Sequence, residues 1–167
     1  MDAEIAKRPE GITTKMTCCF TGHRDIPSNK VNYIKNELRR EIGEAIAAGY
    51  EHFISGFADG VDLLSAEIVL ELKKEWPSLT LEAAIPFPKR LETLFEREDA
   101  AQLLRGCIGI GVWSDQYFPN AYMVRNRKML SLSTRMIAIY DGREKGGTVQ
   151  IMRLANTMGV QARIIKI

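Results

Sequence analysis

The sequence predicts a Rossmann-like α/β fold, a three-layer sandwich around a mainly parallel sheet of about six strands. Three observations carry that expectation. Short, nearly wholly apolar runs alternate along the chain with longer amphipathic ones. The short runs lack an in-out alternation, as strands buried on both faces do. The long runs repeat apolar residues every three or four positions and several close on glycine, the pattern of helices that pack one face on a sheet.

Each element follows in order. Residues 16–22, MTCCFTG, form an apolar run ending in glycine. Residues 29–49 space Val31, Ile34, Leu38, Ile42 and Ile46 along one helical face and end at Gly49. Residues 52–56 are a second strand, and 59–76 a helix with Val61, Leu64, Ile68 and Leu72 on one side. Strand 79–86 precedes a single expected helix over 89–106, then strand 107–113. Helix 120–133, strand 135–142, helix 146–159 and strand 161–167 complete the alternation. No repeat, low-complexity segment or interdomain linker interrupts it, so one domain is expected over 16–167 after a short flexible tail, 1–15.

The bulk composition narrows the function classes. The chain has 167 residues, 46% hydrophobic and 26% charged, ordinary values for a globular protein. A net charge of +2 is too small to imply strong non-specific binding to a polyanion, so nucleic acid is an unlikely partner on this ground. The aromatic residues are not interleaved with a basic stripe. No apolar run reaches the roughly 18 residues of a membrane span, and no signal-peptide pattern opens the chain. The three cysteines, Cys18, Cys19 and Cys107, are an odd count, and neighbours on a strand face opposite ways. They read as reduced, buried thiols of a cytoplasmic protein. No Cys/His cluster has zinc spacing, and neither metal nor cofactor is expected.

In a parallel sheet, ligands bind outside the carboxyl ends of the strands, so the segment after each strand deserves reading. After the first strand come Gly22, His23 and Arg24: a glycine that permits a tight turn or close approach, and two basic groups suited to an anion. After the second, SGFADGVD sets Ser55, Gly56 and Gly60 around a turn. Asp59 suits an N-cap, and Asp62 either completes a capping arrangement or accepts from a ribose hydroxyl. After the third, Phe87 between two prolines packs on the core or stacks on a base. After the fourth, Asn120 suits an N-cap, Met123, Val124 and Leu130 mark an apolar side, and Arg127 projects along that stripe beside Arg125 and Asn126. After the fifth, Gly146, Gly147 and Thr148 open a helix and make the strongest single phosphate-site candidate. Simple capping by Thr148 is the competing reading. Glycine or basic elements thus follow strands one, two, four and five on one expected edge.

TGHR, SGFADGVDLLSAE, YMVRNRKM and YDGREKGGT, taken in order over 16–167, resemble the YpsA-like proteins of the SLOG superfamily, relatives of the Smf/DprA and LOG proteins. The resemblance implies a site for a nucleotide or a nucleotide-derived ligand, and some members work in nucleotide-signal and phage-conflict systems. It also implies ligand binding by Gly22, His23, Arg24, Ser55, Gly56, Asp62, Asn126, Gly146, Gly147 and Thr148, with Arg125 or Arg127 as charge partner. LOG enzymes place a glutamate after their glycine-rich turn, whereas Gln150 and Ile151 stand there in this chain. The leading expectation is therefore a sensor or sequestering protein for an ADP-ribose-like or cyclic nucleotide, without catalysis. LOG-like hydrolysis of an N-glycosidic bond is second, and single-stranded DNA binding third. A homo-oligomer is expected from the superfamily's habit of pairing.

Overall fold

The computed structural model describes residues 11–167. Its elements are β1 (Thr17–Thr21), α1 (Val31–Ala47), β2 (His52–Ser55), α2 (Val61–Lys73), β3 (Thr80–Ile85), α3 (Pro88–Phe95), α4 (Glu98–Arg105), β4 (Gly109–Val112), α5 (Ala121–Ser131), β5 (Arg135–Tyr140), α6 (Gly147–Thr157) and β6 (Gln161–Lys166). Short 3-10 turns occupy Thr14–Met16 and Ser28–Lys30. Of the tail expected over 1–15, residues 1–10 lie outside the described part.

Every strand pairing is parallel, in the order β4-β3-β2-β1-β5-β6. Strands β1 to β4 step outward in one direction, and β5 then returns to the free side of β1. Crossovers of one hand therefore place α1 to α4 on one face and α5 and α6 on the other. The two cores follow. Cys18 and Phe20 of β1 join Ile34, Leu38 and Val61 on the first face. Cys19, between them in sequence, joins Met129, Ile151 and Ala155 on the second. The Phe20 and Phe53 rings stack across β1 and β2 at 5.9 Å, and burying each contributes about 1.5–3 kcal/mol. The cysteines are free. Burial pushes the Cys19 thiol up to about 12 and that of Cys18 well above its ordinary value, so neither acts as a nucleophile.

The helix expected over 89–106 is two helices. Glu96 ends α3, and Arg97 turns extended (φ −102°, ψ 121°) to start α4. Glu98 and Asp99 fall in the new first turn, where the helix dipole favours acids. The turn also swings the Arg97 guanidinium onto Asp59 at 2.5 Å. That pairing removes Asp59 from the N-cap role expected of it. Gly60 takes that position instead at φ 82°. A Cβ there would lie 2.4 Å from the His23 carbonyl oxygen, so only glycine fits. Neither Asn120 nor Thr148 caps its helix with a side-chain hydrogen bond.

Gly22 owes its identity to the same close approach. A Cβ on it would stand 2.4 Å from Val61 Cβ. The Val61 N–H donates to the His23 carbonyl at 3.2 Å. The start of α2 is thus pressed against the loop after β1, and the glycine serves helix packing before it serves any ligand. Gly22→Ala is expected to cost roughly 1–3 kcal/mol in denaturant unfolding, and adding Val61→Ala should not restore it, since the Cβ that clashes remains.

Candidate functional site

The strand order reverses between β1 and β5, and a cavity of about 290 Å³ opens at their carboxyl ends. Its lining comes from the loop after β1, the start of α2, helix α5 and the start of α6. A groove of about 890 Å³ over α2 and α4 is larger, but leucines and surface charges line it, and no buried unpartnered polar group opens there.

One wall of the cavity is the α6 terminus. Gly146 reaches φ 124°, which aims the chain into the helix. The first helical bond runs from the Gln150 N–H to the Gly146 carbonyl at 3.1 Å, leaving the N–H groups of 147–149 without helical acceptors. A Cβ on Gly147 would meet no atom within 4 Å. Thr148 is 6% exposed, and among the described residues its hydroxyl has no partner. Free amides, a positive helix end and a hydroxyl suit an oxyanion.

Arg125 forms the floor. Buried positions on α5 recur at Ala121, Arg125 and Met129, one turn apart, which carries the guanidinium inward. Arg125 is 3% exposed. Its Nη1 donates to the carbonyls of Gly56 (2.6 Å) and Ala84 (3.1 Å), and its Nε to Asn126 Oδ1 (2.8 Å). Nη2 has no partner among the described residues. Asp62, also buried, accepts from the Ala58 N–H through Oδ2 at 3.3 Å, and its Oδ1 has no hydrogen-bond partner among the described residues. Burial raises the Asp62 carboxyl above its usual value, against the opposing pull of Arg125, and burial lowers Arg125. A donor and an acceptor, both desolvated, therefore stand on one cavity wall.

His23 ties the rim. It is buried, and its Nε2 lies 3.1 Å from both the Asp141 amide nitrogen and the Asp141 Oδ1, so the ring is bound to that residue. Arg143 grips the Asp141 carboxylate at 2.5 Å and reaches Asp25 at 3.3 Å, joining the loops after β5 and β1. The Arg143 hydrogen bonds hold the Asp141 carboxyl far below the usual carboxylate range.

Of the residues expected at the site, Gly22, His23, Arg24, Asp62, Arg125, Asn126, Gly146, Gly147 and Thr148 line the cavity. Ser55 does not. Its hydroxyl donates to the Asp62 carbonyl (2.9 Å) and accepts from the Phe57 N–H (3.2 Å), so it shapes the turn. Gly56 leaves room for Arg125, whose Nη1 would lie 2.6 Å from a Cβ there. Arg127, placed on the apolar stripe by sequence, is exposed and lies outside the cavity lining, because the buried stripe of α5 runs through Arg125. Tyr122, Asp25 and Arg143 were missed. Tyr122 had a signal in its position one turn before Arg125, where its ring lies under Arg24 at 4.8 Å and near Arg125 at 5.6 Å. Phe87 is buried, edge-on to Tyr117 and Tyr122. Among the described residues, no group of three or more His, Cys, Asp or Glu could hold a metal ion. No described helix is long and apolar enough to cross a membrane.

A family model described as YpsA, the YspA SLOG family, matches residues 18–164. A UPF0398 protein of Ligilactobacillus salivarius is 28% identical over 123 residues, 71% of this chain and 67% of that protein. One from Bacillus anthracis is 28% identical over 133 residues, 77% and 72% of the two chains. Among solved structures, the fold is similar to DNA processing protein A from Helicobacter pylori, described for its single-stranded DNA binding mode. The TM-score is 0.64 at 20% identity, over 90% of this chain and 65% of that one. That neighbour overturns the expectation that nucleic acid is an unlikely partner. Net charge was the wrong measure, since a whole-chain sum does not show Arg24 and Arg125 gathered with Tyr122 at one edge.

The His23 geometry fixes a pH dependence. Burial lowers its ring below 6.5, outweighing the Asp141 carboxylate. The folded state thus favours the neutral ring, and that stability is complete above about 6.5 and is lost as pH falls toward the lowered value. Melting curves between pH 7.5 and 5 should show the wild type losing stability faster than His23→Gln, whose amide oxygen accepts without titrating.

Proposed function

Because the chain belongs to the YspA SLOG family, we propose that the cavity binds a nucleotide-derived small molecule and senses or sequesters it rather than breaking it. The observation that carries this reading is the pair of buried, unpartnered polar groups on one cavity, the Thr148 hydroxyl and Arg125 Nη2. In this reading a phosphate sits on the 147–149 amides and the Thr148 hydroxyl. A ribose hydroxyl or base edge donates to Asp62 Oδ1 and accepts from Arg125 Nη2. Binding without hydrolysis is favoured because Gln150 is exposed and Ile151 fully buried, so no carboxylate occupies the place of the LOG glutamate.

A second reading, single-stranded nucleic acid, is favoured by one specific observation. Tyr117, 62% exposed, stands edge-on to Phe87 at 5.4 Å, and the Tyr122 ring adjoins them under Arg24. Rings and guanidinium groups together at a cleft suit stacked bases and a phosphate backbone.

Thermal melting against a panel of ribonucleotides, cyclic nucleotides and NAD-derived species tests the first reading. A ligand at about a hundred times its Kd should add about 2.7 kcal/mol of stability. Gly147→Val should fold as the wild type does, since its side chain meets open space, yet lose that ligand shift. A flat response across the panel sinks the small-molecule reading. Titrating a short single strand at several salt concentrations tests the second. Affinity that falls with salt and drops in Tyr122→Ala supports it, and absence of binding at low salt removes it.

A further inference from the structure

Next to the main cavity lies a smaller notch of about 40 Å³, reached past Tyr122 and bounded by Arg24, Arg90, Arg125, Gly56 and Asp59. Its volume matches about three water-sized probes. Three guanidinium groups meet there, from the loop after β1, from α3 and from α5. Each is short of partners. The Arg24 side chain makes no hydrogen bond to any described residue and lies over the Tyr122 ring at 4.8 Å. Arg90 uses Nη2 on the Phe57 carbonyl at 2.8 Å, and among the described residues its side-chain Nε and Nη1 make no hydrogen bond. Arg125 is buried with Nη2 unused. The one carboxylate in the notch, Asp59, is held by Arg97 at 2.5 Å and sits 3.6 Å from Arg90. Three guanidinium groups face two carboxylates, Asp59, shared with Arg97, and the buried Asp62, so the excess positive charge favours an added anion.

We propose that this notch is a second phosphoryl subsite, so that the ligand carries two separate phosphoryl groups, one on the α6 terminus and one among Arg24, Arg90 and Arg125. The inference rests on the reading above that the cavity takes a nucleotide. The fork of an arginine matches an oxyanion in two bonds, and Arg125, lining both chambers, connects the two positions. The second phosphoryl is either part of a doubly phosphorylated nucleotide or the next phosphodiester of a single strand.

The test is calorimetric titration of adenosine 5′-monophosphate, adenosine 5′-diphosphate and adenosine 3′,5′-bisphosphate into wild type, Arg90→Gln and Asp59→Asn. A short single-stranded oligonucleotide is run in parallel. A doubly phosphorylated nucleotide should bind the wild type about tenfold tighter than the monophosphate. That increment should vanish in Arg90→Gln while monophosphate affinity holds, and should grow in Asp59→Asn, a gain that no misfolded variant produces. An oligonucleotide affinity that falls in Arg90→Gln, with the small nucleotides unaffected, makes the group a phosphodiester. An increment that survives Arg90→Gln overturns the notch and leaves the cavity reading standing. So does the lack of any increment, together with oligonucleotide affinity indifferent to the substitution. Where the monophosphate itself fails to bind, the cavity reading has failed. The notch is then decided by ³¹P line broadening of inorganic phosphate: broadening abolished in Arg90→Gln supports it, and broadening that is absent or unchanged overturns it.

Discussion

The buried guanidinium of Arg125 is the constraint on which the site depends. It fastens α5 to the carboxyl ends of β2 and β3 through the carbonyls of Gly56 and Ala84. Gly56 lies one residue past β2 and Ala84 one residue before the end of β3, so one guanidinium satisfies carbonyls of two neighbouring strands' ends. Gly56 is required beneath it, since a side chain there would occupy the space of the guanidinium. Asp62 then needs its place nearby, because a cation this deeply buried is tolerated only in the field of an anion. One side chain on one helix thereby dictates a glycine and an acid on another segment, and leaves a donor over for something else.

Much of the fold was legible in the sequence because burial on both faces writes itself as composition. The runs around Phe20, Phe53 and Ile137 could be little else than inner parallel strands, and all of them are. The break between α3 and α4 was not legible. Apolar spacing runs through Leu94, Ala101 and Leu104 without a proline or glycine, and the break is made by Arg97 reaching for Asp59, a partner some forty residues away in sequence. The choice between Arg125 and Arg127 stays open in the sequence for a similar reason. Both lie near apolar residues on a helical wheel, and only the position of the sheet decides which of them points at it. Gly146 and Gly147 were legible because a phosphate-ready helix start has a local signature, whereas the Tyr122 ring acquires its meaning only when Arg24 is folded over it.

The glycines divide by the work they do, and the division separates scaffold from site. Gly22, Gly56 and Gly60 are each pressed by protein atoms closer than 3 Å from a would-be Cβ. Gly147 faces open space. Around the cavity, Gly22, Gly56 and Gly60 thus bring the chain's own segments together, and Gly147 leaves room for what lies outside it. A similar contrast holds for charge. The surface pairs of Arg40 with Glu37 and Glu44 are solvated and contribute little to stability. Arg125, by contrast, is buried beside Asp62, where water screens their mutual field little.

The rim of the cavity is assembled before anything enters it. Gly22 packs on Val61, the Val61 amide is held by the His23 carbonyl, and the His23 ring holds the amide of Asp141. Three loops from three strands are thereby joined in series. A ligand meeting such a rim has few backbone torsions to freeze, so the entropy that a floppy mouth would forfeit on closing is already spent in folding. For the ligand proposed above, recognition then works by exclusion of the wrong outline at the entrance, with encounter rather than rearrangement setting the pace of association.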